Sequence, residues 1–311
     1  MADKLNVLVY SGAPPTPTNP PETRLRRVYT DDNDDIKGPG TTVESVRHCL
    51  YTLRRLLAPH YAVIPVTDEM LIREPWTLTC ALLVIPGGAD LGYCRVLNGT
   101  GNRRIEQFVR RGGAYLGFCA GGYYGSKRCE FEVGDKTMEV IGERELAFFK
   151  GICRGGAFGG FVYQSEAGAR AAQLKTATSL EAPEVFRSYY NGGGVFVDAA
   201  KFEGIEVLAS YTEELNVDPG EGSAAVIYGK VGQGGVILTG PHPEYVYIFF
   251  FFSSLRCFPR GYADEQICCC KPRPERWWTG ICRAGGCSGC RRQVENRLPE
   301  GLSVQAGLTG Y

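Results

Sequence analysis

Short apolar runs alternate with amphipathic stretches through the first half of the chain. Four runs have the length and composition of buried parallel strands: residues 5–10, 61–66, 80–85 and 114–116. Strands and helices that alternate at this spacing predict a parallel α/β sheet with right-handed crossovers. Because reactive groups in such sheets collect beyond the carboxyl ends of the strands, we expect segments 86–90 and 117–121 to face each other.

Two helices are predicted between these strands. The first begins at a capping box formed by Thr41 and Glu44 and closes near Pro59. Its apolar stripe consists of Val43, Val46, Leu50, Leu53 and Leu57. The second helix is marked by an apolar stripe that includes Phe108 and stops at the glycine pair 112–113.

Beyond residue 126 the pattern changes to short strands divided by glycines. The predicted strands are 129–133, 169–176, 195–197, 205–211, 224–228 and 236–239. The last two form a hairpin that turns at residues 232–234. We expect a mixed, partly antiparallel extension that brings residue 242 back to the strand ends of the first half.

Two stretches depart from this organisation. Residues 13–37 hold five prolines and an acidic run at 31–35, which predicts a disordered insertion. From residue 246 onward no period remains and Gly, Arg and Cys are in excess, so residues 246–311 are expected not to fold. The predicted organisation is one α/β domain over residues 1–245, followed by an aberrant tail.

Charge and hydropathy exclude several classes of partner and location. Lys+Arg and Asp+Glu each number 34, which argues against nucleic acid or an anionic membrane as the main partner. The longest apolar run, 245–252, is too short to cross a bilayer, and residues 1–4 lack the apolar core of a signal peptide. We therefore expect a cytoplasmic protein.

Cysteine is abundant, with 13 residues, but its spacing predicts neither a disulfide scaffold nor a metal site. Cys282, Cys287 and Cys290 resemble a partial metal cluster. Their spacing is irregular and no histidine follows, so no metal is predicted. Cys119 is the cysteine whose local context indicates chemistry.

The stretch 115–125 has an apolar run, then Cys119, then small residues at 120–122, which predicts a strand, a sharp turn and a helix. At such a nucleophile elbow the flanking glycines let the backbone tolerate strain. Cys119 then lies at a helix N-terminus, where unpaired N–H groups and the helix dipole favour the thiolate.

A second segment, 240–244, supplies a base and a carboxylate that orients it, at His242 and Glu244. In the predicted chemistry the Cys119 thiolate attacks a carboxamide carbon and His242 transfers the proton. The backbone N–H groups of Gly88 and Ala120 stabilise the oxyanion. The remaining predicted pocket residues are Gly87, Asp90, Gly121 and Tyr123.

Each of these residues also has a structural interpretation. Cys119 suits a small buried position before a glycine turn, and His242 between two prolines suits a turn. Asp90 after two glycines caps a turn as readily as it binds an amino group. Packing or turn roles compete in the same way with pocket roles for Glu166, Arg170 and Asn191.

Several segments carry a resemblance to a known family. They are Tyr-Ser-Gly at 10–12 with Gly-Pro-Gly-Thr-Thr at 38–42, Pro-Gly-Gly-Ala-Asp at 86–90, Gly-Phe-Cys-Ala-Gly-Gly at 117–122, Thr-Met-Glu-Val at 137–140, Ser-Glu-Ala-Gly-Ala-Arg at 165–170, Tyr-Asn-Gly-Gly-Gly-Val-Phe-Val-Asp at 190–198 and Leu-Thr-Gly-Pro-His-Pro-Glu at 238–244. Together they resemble the N-terminal domain of fungal biotin–protein ligase over about residues 1–245 without the insertion. That domain belongs to the class I glutamine amidotransferase-like superfamily, so the resemblance implies a flavodoxin-like core and the Cys119–His242–Glu244 site.

Two departures from the family pattern bear directly on function. Tyr123 stands where glutamine amidotransferases usually carry a Gln that helps to hold glutamine. No Gly-Arg-Gly-Arg-Gly-type loop for biotinyl-adenylate occurs, so the ligase domain is not expected in this chain. Biotin and ATP would belong to that domain, and no cofactor is expected here. The implied partners are a ligase domain or biotin-dependent carboxylases.

Two functions follow from the resemblance. The favoured one is a regulatory or interaction domain of a biotin–protein ligase that retains a Cys-His-Glu thiol site. The alternative is an active cysteine-dependent amidase or glutamine amidotransferase that acts through a thioester. Tyr123 and the expected lack of a domain to use ammonia favour the first.

Overall fold

The structure is a computed structural model that describes residues 5–12 and 40–245. The predicted insertion at 13–37 and the predicted tail at 246–311 lie outside those residues. So do Cys282, Cys287 and Cys290. The predicted domain boundaries therefore stay predictions.

Thirteen strands and five helices make up the described residues. The strands are β1 (Asn6–Tyr10), β2 (Ala62–Val66), β3 (Cys80–Ile85), β4 (Ala114–Phe118), β5 (Ser126–Phe131), β6 (Val140–Glu143), β7 (Phe149–Gly155), β8 (Arg170–Thr176), β9 (Val185–Tyr190), β10 (Gly194–Phe196), β11 (Ile205–Tyr211), β12 (Ala224–Val231) and β13 (Gly234–Thr239). The helices are α1 (Val43–Leu57), α2 (Asp68–Arg73), α3 (Asp90–Leu97), α4 (Thr100–Arg110) and α5 (Ala120–Gly125). Short 3₁₀ turns lie at Trp76–Leu78, Ala199–Lys201 and Pro243–Tyr245.

The main sheet has nine strands in the order β2-β1-β3-β4-β13-β12-β11-β8-β9. Its first five strands are parallel, and their order is that of flavodoxin-like doubly wound sheets. The other four continue the sheet with antiparallel pairing. The predicted fold class, a parallel sheet with flanking helices and a partly antiparallel extension, is confirmed.

Apolar side chains cover both faces of this sheet. In β1, Leu8 and Tyr10 point to one apolar cluster, whereas Val7 and Val9 point to the other. A strand that is buried on both faces has no polar alternation, which is why β1 and β3 are visible in the sequence as continuous apolar runs.

A second, four-stranded sheet in the order β10-β7-β5-β6 was not predicted. The sequence pattern indicated one mixed extension and missed β6, β7 and β9. Glycines and charged residues interrupt these strands. In β7, for example, Lys150, Gly151 and Arg154 break the apolar run, so no continuous hydrophobic signal marks it.

Helix α1 begins one residue later than predicted. Thr42, not Thr41, is its N-cap, and the Thr42 hydroxyl accepts a hydrogen bond from the Ser45 N–H at 3.2 Å. Thr41 instead forms an antiparallel backbone bridge with Gly88, so its backbone is fixed by the loop after β3.

The buried face of α1 also differs from the predicted apolar stripe. Val43 is 57% exposed, whereas the fully buried residues of the helix are Ser45, Cys49, Thr52 and Leu53. The small polar members of this face pack against the 3₁₀ turn Pro243–Tyr245. A contact with a turn almost 200 residues away cannot be seen in local periodicity.

The loops after β3 and β4 meet at the carboxyl edge of the parallel sheet. A Cβ atom at Gly121 would lie 2.2 Å from the Ile85 carbonyl oxygen, which is closer than any real contact of that kind. The turn after β4 therefore packs directly on the end of β3, and only glycine fits at residue 121.

Substitution of Gly121 tests this close contact. Gly121→Ala should lower the free energy of unfolding by about 3 kcal/mol, because backbone atoms must move to admit the methyl group. Gly159→Ala is the matched control, since its Cβ would meet the Asn216 side chain at an ordinary 3.4 Å. Urea unfolding measures both. Equal stability of the two variants would contradict the packing of the turn on β3.

Candidate active site

Cys119 lies in the turn between β4 and α5 with a positive φ of 47° and a ψ of −102°. Such a backbone conformation costs a non-glycine residue about 1–3 kcal/mol and persists where the surroundings fix it. Three hydrogen bonds do so here. The Cys119 N–H donates to the Thr239 carbonyl at 2.9 Å, and its carbonyl accepts from the N–H groups of Gly122 and Tyr123 at 2.8 and 3.0 Å.

The Thr239 contact also brings the end of β13 to the cysteine. His242 follows three residues later, and its Nδ1 lies 2.8 Å from Glu244 Oε1. Because Nδ1 faces the carboxylate, Nε2 is the ring nitrogen left for the thiol, and Cys119 is near enough to interact electrostatically with the ring. The structure thus brings together the three residues that were predicted to act together.

The imidazole is held from both sides. The His242 N–H donates to the Tyr189 carbonyl at 2.8 Å, which fixes its backbone to β9. On the other side, a Cβ at Gly87 would lie 2.4 Å from His242 Cε1, so the missing side chain of Gly87 makes room for the ring. Gly87, predicted as a pocket residue, therefore contacts the imidazole.

His242 is buried, and burial alone would lower its pKa. Electrostatic interactions with Cys119 and Glu244, together with the hydrogen bond to Glu244, outweigh burial and raise the pKa of His242 well above its usual range. This shift favours the protonated ring, and an imidazolium next to a thiol favours the thiolate.

Two backbone N–H groups in the loops of the site are available as donors. Among residues 5–12 and 40–245, the N–H groups of Gly88 and Ala120 donate to no backbone carbonyl. The loop that carries Gly88 is fixed by two hydrogen bonds, from Ala89 N–H to the Gly40 carbonyl at 2.7 Å and from Thr42 N–H to the Gly87 carbonyl at 3.3 Å. Both predicted oxyanion donors thus lie next to residues of the site, Gly88 after Gly87 and Ala120 after Cys119.

The thiol is covered by a loop at residues 191–193, which we call the covering loop. The Asn191 carbonyl oxygen lies 3.8 Å from Cys119 Sγ, and the residue Cys119 is 6% exposed. The Tyr123 hydroxyl donates to the Gly192 carbonyl at 3.1 Å. Tyr123, predicted as a pocket residue, is buried and holds the covering loop.

Asp90 is occupied by a protein partner. Its carboxylate accepts from Arg144 Nε at 2.6 Å, and both side chains are buried. A ligand amino group would have to replace that guanidinium. Two of the other candidates also have partners, since Glu166 accepts from the Tyr189 hydroxyl at 2.7 Å and Arg170 lies over the Phe158 ring at 4.3 Å.

Sequence reasoning missed two polar residues of α1 that hold Glu244. Ser45 donates to Glu244 Oε1 at 3.1 Å, and Thr52 donates to the Glu244 carbonyl at 2.8 Å. The seven-residue spacing of Ser45 and Thr52 puts both on one helical face, which is a signal that an apolar-stripe search passes over.

One cavity of the described residues lies apart from the site at Cys119. A cavity of about 360 Å³ is lined by residues of β5 and β7, by Glu132 and Val133 after β5, and by segment 216–218, none of which belongs to the site at Cys119. Within the part of the chain that the structure describes, no group of His, Cys, Asp and Glu could hold a metal ion. No described helix has the length and apolarity to span a membrane. The cytoplasmic location stays a prediction.

Comparison with known proteins decides the family. A family model described as "Biotin-protein ligase, N terminal" matches residues 36–256. The chain belongs to this family. The resemblance that the sequence motifs carry is thereby confirmed.

Two curated relatives share sequence with about two thirds of this chain. The biotin–protein ligase of Schizosaccharomyces pombe is 44% identical over 208 residues, which are 67% of this chain and 32% of that protein. The chain therefore spans about a third of that relative's length. An uncharacterised protein of Chlamydia muridarum is 38% identical over 210 residues, which are 67% of this chain and 78% of that protein.

Solved structures show weaker likeness. PurLQS from Thermotoga maritima is 14% identical, with a TM-score of 0.46, over 78% of this chain and 88% of that one. A glutamine amidotransferase is 20% identical, with a TM-score of 0.44, over 65% of this chain and 87% of that one. The fold described above rests on the strand order of the chain itself.

Tyr123→Phe tests the support of the covering loop. The Gly192 carbonyl loses its donor, so stability should fall by about 1–2 kcal/mol and Cys119 should react faster with iodoacetamide. Tyr124→Phe is the matched control, because Tyr124 is buried on the same helix and its hydroxyl contacts Asn102 instead of the loop. Peptide mapping and urea unfolding provide the measurements. Equal Cys119 reactivity in the two variants would rule out a role for Tyr123 in covering the thiol.

The raised pKa of His242 predicts a pH-dependent stability. The folded pKa exceeds the unfolded value of about 6.5, so the stabilisation is fully present below about pH 6.5 and is lost as the pH rises through the folded pKa. His242→Gln should therefore lower the free energy of unfolding more at about pH 6 than at about pH 9. Urea unfolding of both proteins at both pH values checks this. A pH-independent difference would argue against a charged His242.

Proposed function

We propose that this domain is a cysteine-dependent amidase that forms a thioester between Cys119 and the acyl group of a small carboxamide. One observation supports this most strongly: His242 is buried, is hydrogen-bonded to Glu244 through Nδ1, and interacts electrostatically with Cys119. A cysteine that serves packing alone needs no oriented, charged imidazole. The geometry therefore reverses the preference for a regulatory role that the sequence alone suggested.

The proposed reaction has two halves. The Cys119 thiolate attacks the amide carbon, and the N–H groups of Gly88 and Ala120 stabilise the oxyanion. The C–N bond then breaks as His242 gives its Nε2 proton to the leaving ammonia or amine. Water next attacks the thioester, His242 takes a water proton, and the carboxylic acid leaves as the thiolate re-forms. Glu244 keeps the imidazole oriented throughout.

The identity of the amide is left open by Tyr123. Glutamine amidotransferases usually carry Gln at that position, and Tyr123 instead binds the covering loop. Tyr123 therefore does not take the glutamine-holding role of that Gln, and we propose the wider class of small carboxamides as substrates.

The wider biological role is also a proposal. No step above uses biotin or ATP, which we assign to the ligase activity in the name of the S. pombe relative. We propose a ligase domain or a biotin-dependent carboxylase as the partner of this domain. In the chlamydial relative the matched region makes up 78% of the protein, which supports a function of the domain in its own right.

A regulatory or interaction domain is the second candidate. The observation that favours it is the cover over the sulfur, since Cys119 is 6% exposed beneath the Asn191 carbonyl. A substrate reaches the thiol only if the covering loop moves. In a purely regulatory domain the loop would stay closed and the charged pair would serve stability.

The test combines labelling with turnover. The folded protein is incubated with iodoacetamide and with a chloroketone analogue of glutamine, and adducts are mapped by peptide mass spectrometry. Ammonia release is then measured with glutamine and other small primary amides, with hydroxylamine added to trap the thioester. Cys94→Ala serves as the control, because Cys94 is partly exposed and belongs to no part of the site.

We expect one adduct per chain at Cys119 and at least about a hundredfold slower labelling in His242→Gln. Cys119→Ala should give no adduct at this position and no ammonia, whereas Cys94→Ala should behave as the unaltered protein does. Labelling of Cys119 that is independent of His242 would contradict the proposal. Complete resistance of a folded protein to both reagents would favour the regulatory candidate.

A further inference from the structure

Ser45 joins the two halves of the proposed site through one hydroxyl group. Its Oγ accepts a hydrogen bond from the Gly87 N–H at 2.8 Å and donates one to Glu244 Oε1 at 3.1 Å. Gly87 precedes the proposed oxyanion donor Gly88, and Glu244 orients His242. A single side chain therefore contacts both the loop of the oxyanion site and the carboxylate of the base.

The Glu244 carboxylate depends on this contact because it is held at one oxygen. Oε1 receives hydrogen bonds from His242 Nδ1 and from Ser45, whereas Oε2 is buried and has no partner among the described residues. If the hydrogen bond to His242 were its only contact, the carboxylate could rotate about that hydrogen bond. Ser45 supplies the second fixed point, so it determines which way the carboxylate faces.

Ser45 is itself rigidly placed. It is 1% exposed, and it lies in the first turn of α1, where its N–H donates to the N-cap hydroxyl of Thr42 at 3.2 Å. Two turns along the same face, Thr52 binds the Glu244 carbonyl at 2.8 Å. Helix α1 therefore fixes residue 244 twice: Thr52 holds its main chain and Ser45 holds its side chain.

We propose that Ser45 is a positioning residue that aligns the Glu244 carboxylate with His242 and holds the Gly87–Gly88 loop in the same geometry. This inference rests on the proposed amidase function. Ser45 touches no reacting atom and acts through its two hydrogen bonds. Its loss would leave the buried Gly87 N–H without an acceptor and Glu244 Oε1 with one donor instead of two.

A double-mutant cycle in the full chain tests this role. The readout is the rate at which iodoacetamide labels Cys119, measured in the unaltered protein, Ser45→Ala, Glu244→Gln and the double variant. We expect Ser45→Ala to slow labelling about tenfold, as when a group that orients an active-site ligand is lost. In the Glu244→Gln background the same substitution should have little further effect, because alkylation of the thiol forms no oxyanion and so reports the contact of Ser45 with that carboxylate and not its contact with the loop.

Thr52→Val is the matched control. It removes a hydrogen bond from the same helix to the same residue, but at the Glu244 main-chain carbonyl, which Glu244→Gln leaves in place. Any effect of Thr52→Val on labelling should therefore be the same factor in both backgrounds. Ser45→Thr, which keeps the hydroxyl, should restore labelling to within about threefold of the unaltered rate.

The outcomes separate this inference from the proposed function. If Cys119 labelling in the unaltered protein is independent of His242, both fail. If labelling depends on His242 but Ser45→Ala has no effect, or has the same effect in the Glu244→Gln background as in the unaltered one, only the role of Ser45 is overturned. Ser45→Cys, which keeps the side-chain size with a weaker donor, replaces Ser45→Ala in the cycle should the alanine variant not fold.

Discussion

Parallel pairing of β13 with β4 places two distant segments side by side at the edge of the sheet. The register sets Thr239 opposite Phe118, so the residues that follow each strand, Cys119 and the 240–244 segment, emerge together. The Thr239 carbonyl then binds the Cys119 N–H directly. The approach of His242 to Cys119 requires this pairing, because the two residues belong to different segments.

The pairing also explains how the strained turn at Cys119 can persist. Cys119 has a positive φ that hydrogen bonds to Thr239, Gly122 and Tyr123 hold in place. Close backbone packing of Gly121 on Ile85 leaves the turn little room to relax. Strain of this kind is found mainly where the surrounding structure over-determines the backbone, and it is common at functional sites.

Burying His242 and Glu244 removes both from water, and an unpaired buried charge is costly. The structure offsets this cost with hydrogen bonds that come from several elements. Tyr189 of β9 holds the His242 main chain, and Ser45 and Thr52 of α1 hold Glu244. The site is thus assembled from β4, β9, β13, α1 and the loop after β3, so its geometry is a property of the whole domain.

The sequence by itself determined the features that depend on residues near each other in the chain. Continuous apolar runs marked the central strands, the glycines around Cys119 marked a sharp turn, and the motifs marked the family. Tertiary structure decided what depends on distant contacts: the two hydrogen bonds of Ser45, the Arg144 partner of Asp90, the contact of Tyr123 with the covering loop and the second sheet. The physical reason is that burial on both faces and backbone strain restrict which residue types can stand next to each other in the sequence. The partner of a buried hydroxyl or carboxylate is instead set by the fold that brings it near.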